Sequence, residues 1–240
     1  MGKFGKDYWT SEEYIKSREE RAKVIYTLIA DRVRGLSSPF LSVGCGPAII
    51  ENVLSKMFGK TIIGLEIDKE VLVNKTNVVI GDGTKLPFKS ESFEFVMLNH
   101  VLEHVENQRD LVRKVKRVLK NGGMVYVATP NLLWPYEVHY RLPFIHWFPK
   151  KVADKIIRFL KRGRGFENVY LLSYSKIKSM FESEGFEFIN LLPEMMFNKK
   201  ESLRKKWWRV ALGVIKHIPI LRALITTHLS PQHTFIAMKV

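Results

Sequence analysis

A single cysteine in 240 residues, Cys45, rules out an intramolecular disulfide and any Cys-rich zinc site. The opening residues, Met1 to Asp7, hold no apolar core of the kind that marks a secretory leader, so the expected compartment is the cytosol. Glutamine is nearly absent, Gln108 and Gln232 being the only two, beside abundant Lys and Glu, a bias associated with heat-adapted proteins. Long apolar runs are lacking too. The stretch Val210 to Ile215 is interrupted by Lys216, Pro219 and Arg222 and is too short to cross a bilayer. No cluster of acids and histidines stands out as a metal site. What the chain has in excess is positive charge: 39 Lys and Arg against 24 acids give a formal +15. That surplus favours anionic partners, whether nucleic acid, lipid headgroups or a phosphorylated substrate. Hydrophobic content of 46% and charged content of 26% are ordinary for a globular protein. The length suits one domain with additions.

The informative stretch is Phe40-Leu41-Ser42-Val43-Gly44-Cys45-Gly46-Pro47-Ala48. Its apolar start reads as a buried strand that stops at Gly44. A helical pattern (Ile49, Ile50, Val53, Leu54, Met57, Phe58) begins directly after it. Glycines at 44 and 46 permit a sharp turn and close approach of a ligand. Pro47 suits a first helical turn. The helix start then offers free amides to the polar end of a nucleotide-like ligand. The next strand, Thr61 to Glu66, ends in an acid 20 residues after Gly46, where a carboxylate can accept from ribose hydroxyls. Glycine-rich strand-to-helix turns also occur in α/β proteins that bind no nucleoside. A dinucleotide fingerprint would need a third small residue where Ile49 stands, which disfavours nicotinamide and flavin cofactors.

Elsewhere the periodicity predicts a helix over residues 10–34 with Thr10 or Ser11 as N-cap, and a short helix after Asp68 running to Val73. It predicts strands at Val78 to Ile80 and Phe93 to Leu98, and a basic amphipathic helix over 108–119. Asn121-Gly122-Gly123 breaks that helix, and Met124 to Ala128 form a fifth strand. Strands alternating with helices argue for a parallel sheet covered on both faces, with its site at the strands' C-terminal ends. Tyr8, Trp9, Tyr14 and Arg18 either cap a ligand or pack as an aromatic N-terminal cluster.

Taken in order, Val43-Gly44-Cys45-Gly46, Gly64-Leu65-Glu66, Gly81-Asp82-Gly83-Thr84 with Leu86-Pro87-Phe88, Asn99-His100-Val101-Leu102-Glu103-His104-Val105 and Leu119-Lys120-Asn121-Gly122-Gly123 closely resemble class I S-adenosylmethionine-dependent methyltransferases. The resemblance covers residues 38–131 and is nearest to the broad small-molecule group that includes quinone-biosynthesis enzymes. It implies a Rossmann-like, doubly wound α/β sheet of seven strands, parallel except for an antiparallel last strand. The sixth strand would be Phe186 to Leu192 and the seventh Thr234 to Lys239, after a helix over Tyr174 to Glu184. One domain would divide into an N-terminal helical cap (1–37), a cofactor-binding core (38–131) and a substrate-side half with basic helical insertions (132–240). The resemblance further implies that Val43, Gly44, Cys45 and Gly46 cradle the methionine part of S-adenosyl-L-methionine and that Glu66 holds its ribose. Ile67 would pack on the adenine, with Asp82, Gly83 and Thr84 at its edge and Asn99 beside the methionine end. Ala48 stands where the family often has a third glycine, and Glu66 replaces the commoner aspartate.

Methyl transfer from a sulfonium needs chiefly alignment of nucleophile, methyl and sulfur. A base is required where the acceptor must lose a proton early, as a hydroxyl does. His100, His104 and His139 are the candidates, an imidazole titrating near neutrality. His104 and His139 have packing or capping as the alternative. An Asn/Asp-Pro-Pro-aromatic run, usual for amino-group methylation of bases, is missing after the fourth strand, and Cys45 lies in the wrong place for cytosine C5 chemistry. The expected activity is transfer to a small-molecule or lipid-linked acceptor at oxygen. The rivals are an RNA-binding methyltransferase and a cofactor-binding protein without turnover.

After the fifth strand the aromatic, proline-punctuated run Pro130 to Pro149 reads as a substrate lid or pocket wall, or as plain packing under the next helix. Residues 150–164 carry seven basic side chains and residues 199–229 carry eight, with Trp207 and Trp208 leading the second apolar stretch. Tryptophans flanked by cations suit an interfacial helix on anionic lipid, so peripheral attachment to a membrane is the expectation; a solvated basic face over an ordinary core is the alternative.

Overall fold

The computed structural model describes residues 6–137, 140–163, 169–197 and 217–240. A seven-stranded sheet organises them. Its strands are β1 (Phe40–Val43), β2 (Ile62–Glu66), β3 (Val78–Ile80), β4 (Phe93–Asn99), β5 (Leu119–Pro130), β8 (Phe186–Asn190) and β9 (Gln232–Lys239), in the order β3-β2-β1-β4-β5-β9-β8. β9 runs antiparallel between β5 and β8, and the other strands are parallel. A two-stranded hairpin, β6 (Tyr136–Glu137) with β7 (Leu142–Pro143), stands apart.

Alternation along the strands sends side chains to two cores, as a sheet covered on both faces requires. From β4, Val96 and Leu98 join one core with Leu111, Val112 and Val115 of α4 (Gln108–Val118) and Ile177 and Phe181 of α6 (Tyr174–Ser183). Phe95 and Met97 join the other, with Ile25, Leu28, Ile29 and Val33 of α2 (Glu12–Val33) and Ile50 and Leu54 of α3 (Ile49–Phe58). Ser11 caps α2 by accepting the Tyr14 amide, whereas Thr10 closes the preceding single turn, α1 (Lys6–Thr10). The chain winds from β1 outward to β3, then crosses back to begin β4 on the other side of β1. That reversal leaves a crevice at the C-terminal ends of β1 and β4.

Three expectations shift. β5 begins at Leu119 rather than Met124, because Leu119 pairs with Phe93 and the ladder resumes at Phe95 and Met124 across a bulge at Asn121-Gly122-Gly123. The segment after Asp68 is a single 3-10 turn, Lys69–Val71, capped by the Asp68 carboxylate. β8 stops at Asn190, whose side chain accepts the Leu192 amide and starts α7 (Leu192–Phe197). The aromatic run after β5 is partly packing: Tyr140 and Ile145 form a small core with Ala153 and Ile157 of α5 (Lys150–Phe159). A last helix, α8 (Pro219–Thr227), leads into β9. Arg164 and residues 199–216, including Trp207 and Trp208, lie outside the described residues. No helix among the described residues is long and apolar enough to cross a membrane.

Candidate functional site

Beyond Val43 the backbone turns into a left-handed conformation at Gly44 (φ +64°), and both the Gly44 and Cys45 amides donate to the Leu65 carbonyl, at 2.7 and 3.1 Å. A side chain at Gly44 would collide with Val101 Cγ2 at 2.6 Å, so the turn is pressed against the loop that follows β4. Ala48 occupies the left-handed region at φ 58° and is the N-cap of α3. Pro47 therefore precedes the helix instead of opening it. Its carbonyl accepts the Val73 and Asn74 amides, tying the glycine turn to the loop after β2. Cys45 is buried, and burial pushes its thiol well above the usual range, so it stays protonated and unreactive.

Glu66 closes the turn from the other side. Its Oε2 accepts the Gly46 amide at 2.7 Å, and its Oε1 accepts the amides of Ile67 and Asp68 at 2.9 and 3.1 Å. The extra methylene of glutamate over aspartate lets the carboxylate curl back onto the end of its own strand. A carboxylate offers about four acceptor positions, so a place remains on Oε2 for a ribose hydroxyl. Ile67 follows, 69% exposed, an apolar surface beside the acid. Asp82 caps the next turn by accepting both the amide and the hydroxyl of Thr84, each at 2.8 Å, and these bonds hold its carboxyl below the usual range. The Thr84 hydroxyl is thus spent locally. Gly83 packs so closely on β1 that a Cβ would meet Val43 Cγ1 at 2.8 Å.

At the end of β4, Asn99 presents a buried Oδ1 with no hydrogen-bond partner among the described residues. His100 sits in the left-handed region at φ 59° with both ring nitrogens engaged. An Arg21 guanidinium N–H lies 2.6 Å from Nε2, and Glu103 Oε1 lies 3.1 Å from Nδ1. A guanidinium can only donate, so Nε2 carries the lone pair and Nδ1 the proton. Glu103 is fully buried and accepts the Thr129 hydroxyl at 3.0 Å on its other oxygen. Burial alone would push its carboxyl up, but the hydrogen bond from His100 and the other polar groups around it hold it below the usual range. Arg21 is lowered, first by burial and then by nearby Arg18.

Several of these elements line one open cleft. Its floor is Gly44 to Pro47, one wall is Asn99 and His100, and Tyr14 and Arg18 of α2 form the cover. Of the four N-terminal residues picked from sequence, Tyr14 and Arg18 reach the cleft, while Tyr8 and Trp9 pack against the Tyr14 ring, tilted and edge-on, at 5.0 and 5.2 Å. Arg18 lies 4.9 Å from the centre of the Tyr14 ring, with its Nε buried and without a partner among the described residues. Glu51, in the first turn of α3, also lines the cleft and accepts the Ser42 hydroxyl at 2.7 Å. His104 is exposed on the 3-10 turn Leu102–His104 and is not part of the cleft wall, because the turn aims it outward. His139 lies outside the described residues. Arg21, Glu51 and Thr129 went unnoticed in the sequence. A signal existed only for Glu103, three residues after His100 across one turn.

The residues fit the expected cofactor. A backbone cradle too tight for a Cβ at Gly44 and residues with orphaned polar atoms among the described residues, Arg18, Glu51 and Asn99, line one cleft, and the ribose acid Glu66 is bonded to the Gly46 amide at its floor. Residues 41–127 match the methyltransferase domain family. An uncharacterised protein of Methanocaldococcus jannaschii is 42% identical over 70 residues, 28% of this chain and 34% of that protein. A ubiquinone biosynthesis O-methyltransferase of Aliivibrio fischeri is 26% identical over 136 residues, 52% of this chain and 58% of that enzyme. The chain thus spans about a third and somewhat under three-fifths of those relatives' lengths. A crystal structure of an S-adenosylmethionine-dependent methyltransferase from Archaeoglobus fulgidus shares the fold, with a TM-score of 0.54 at 18% identity over 92% of this chain and 94% of that one.

Proposed function

We propose that this chain, a class I S-adenosylmethionine-dependent methyltransferase whose family domain is residues 41–127, methylates an oxygen of a small-molecule or lipid-linked acceptor. The observation that carries the reading is that the Gly44–Gly46 turn and Asn99 line one cleft at the C-terminal ends of β1 and β4, with Glu66 at the end of β2 bonded to the Gly46 amide of that turn. Gly44 to Gly46 would hold the methionine part, Glu66 the ribose, Ile67 the adenine face and Asp82 with Gly83 its edge. When bound, the cofactor supplies a methyl group on a positively charged sulfur. The chain's own work is to hold the acceptor in line with it and keep water out, an orientation effect worth about 7–11 kcal/mol. A hydroxyl acceptor has a proton to lose. Among the described residues His100 is the imidazole at the cleft, and it can accept a proton at Nε2 once the Arg21 guanidinium moves aside. The oxygen preference draws on the O-methyltransferase among the relatives.

Calorimetry with S-adenosylmethionine, its demethylated product and NAD tests the cofactor, and transfer of labelled methyl into a lipid extract tests the acceptor. Binding of the first two without NAD, and label in an ether or ester, are expected. Tight NAD binding with no response to the sulfonium compound overturns the reading, and label recovered only in RNA transfers it to the nucleic-acid rival.

The acceptor class is supported by an exposed surface on the segment that follows β5. α5 buries Ala153 and Ile157 and turns Val152 (41% exposed) and Phe159 (85% exposed) outward, seven residues apart on one face, among Lys151, Lys155 and Arg158. Phe144, Trp147 and Phe148 stand exposed just before it. Apolar side chains ringed by cations match an anionic bilayer surface, where each cation contributes about 1 kcal/mol. The protein should float with anionic vesicles and not with neutral ones, and Val152→Ser/Phe159→Ser should abolish flotation. RNA gel shifts without vesicle binding would sink the membrane reading.

A further inference from the structure

Three polar atoms of cleft residues are buried without a hydrogen-bond partner among the described residues: Arg18 Nε, Glu51 Oε2 and Asn99 Oδ1. They arrive from α2, from the first turn of α3 and from the end of β4. A buried acceptor or donor left unmatched is costly, and such groups are rare in folded proteins. Two acceptors and one donor on one cleft call for a ligand with the opposite pattern. It must donate hydrogens at one end and accept at another. The amino-acid end of the cofactor has this pattern, an ammonium with three N–H donors beside a carboxylate. The sulfonium does not, because it is positive but has no hydrogen to give.

Resting on the methyltransferase reading, we propose that Glu51 receives the α-ammonium group of the bound cofactor beside the Asn99 amide oxygen, and releases a proton as it does so. The Glu51 residue is 6% exposed, and its other oxygen is already fixed by the Ser42 hydroxyl at 2.7 Å, so the carboxyl cannot turn away to solvent. Burial pushes it up to about 7, the Ser42 hydroxyl and a backbone hydrogen bond oppose this, and the negative charge of Glu66 adds to it. The other groups facing it are Tyr14 and Arg18 of α2, Cys45 of the glycine turn and His100 beyond β4. Tyr14 and Cys45 are both raised by burial and stay neutral, and Arg18 forms no ion pair with Glu51. In the free protein near neutrality a large share of Glu51 is therefore the neutral acid. The balance is simple. The acid loses its O–H proton to the buffer, and the carboxylate left behind pairs with the ammonium.

The test is calorimetry of the demethylated product, S-adenosylhomocysteine, at pH 6.5 in phosphate and in imidazole buffers, which differ in ionisation heat. It is repeated as affinity measurements from pH 5.5 to 7.5. Binding should release a large fraction of one proton. Affinity should tighten with rising pH, by up to about tenfold per unit well below 7, and then level off. Glu51→Gln should still bind, more weakly at pH 7.5, with no proton release and a flat profile. Because the product keeps the ammonium and lacks the sulfonium charge, it should release as much as S-adenosylmethionine. Release with the latter alone reassigns Glu51 to the sulfonium and overturns the proposal. If Glu51→Gln fails to fold, the wild-type carboxyl ¹³C resonance titrating near neutrality should move to lower pH with the product bound; an unmoved titration refutes the pairing. Product that binds with equal heats in both buffers refutes Glu51's role alone, whereas product that does not bind at all refutes the function reading beneath it.

Discussion

The Arg21 guanidinium meets His100 Nε2 across 2.6 Å, joining two residues 79 apart in sequence and fixing the imidazole's tautomer. Behind His100, Glu103 and Thr129 continue the chain of hydrogen bonds into the core. Arg21→Met should cost about 1–3 kcal/mol in urea unfolding, because the imidazole and the buried Glu103 lose their charged neighbour. Arg21→Met/His100→Gln should be non-additive by about 0.5–3 kcal/mol, as residues in one network are. Strict additivity would show that the pair is not coupled.

Glu66 organises the turn as well as offering an acceptor to ribose. Glu66→Ala frees three amides, those of Gly46, Ile67 and Asp68, and removes the ribose acid at once. Affinity for S-adenosylhomocysteine by calorimetry should fall by roughly 1–3 kcal/mol. An unchanged constant would place the ribose acid elsewhere.

Gly44 and Gly46 both have positive φ, yet they should respond differently to alanine. At Gly44 the new methyl meets Val101 Cγ2 at 2.6 Å, whereas at Gly46 nothing lies within 4 Å. Gly46→Ala should cost only the left-handed backbone term, about 1–2 kcal/mol. Gly44→Ala should cost more, by about 1–3 kcal/mol of overpacking. Val101→Ala added to Gly44→Ala should recover part of that difference in denaturant midpoint, and no recovery would remove the clash as the cause.

His233, on β9, is 1% exposed, and burial depresses its imidazole to about 4. Between pH 4 and the unfolded value near 6.5 the unfolded chain binds the extra proton, so stability falls as pH drops through that window. The loss should approach about 3 kcal/mol by pH 4. His233→Leu should remove that part of the acid sensitivity, measured as the difference in urea midpoint between pH 4.5 and pH 7. An identical acid loss in the variant would assign it to other groups.

The local pattern of the sequence determined the sheet and the route of the glycine turn. Alternation at Phe95, Val96, Met97 and Leu98 needs two covered faces, and the Gly44–Gly46 spacing with Glu66 at the next strand end places a ligand at the strands' C-terminal ends. Such signals survive in one dimension because they depend on neighbours two to four residues away. The tertiary structure decided what depends on distant partners. It showed that Ala48 takes the left-handed cap, leaving Pro47 outside the helix, and that Thr84 serves Asp82. It turned His104 outward and set His100 against Arg21. Glu51 is the clearest case. On its helix it reads as one more acid in a first turn, and only the approach of α2 and β1 buries it at the cleft with an oxygen unpartnered. Burial and charge pairing are properties of what surrounds a group in space, and chains brought together by the sheet supply those surroundings without any spacing that the sequence could display.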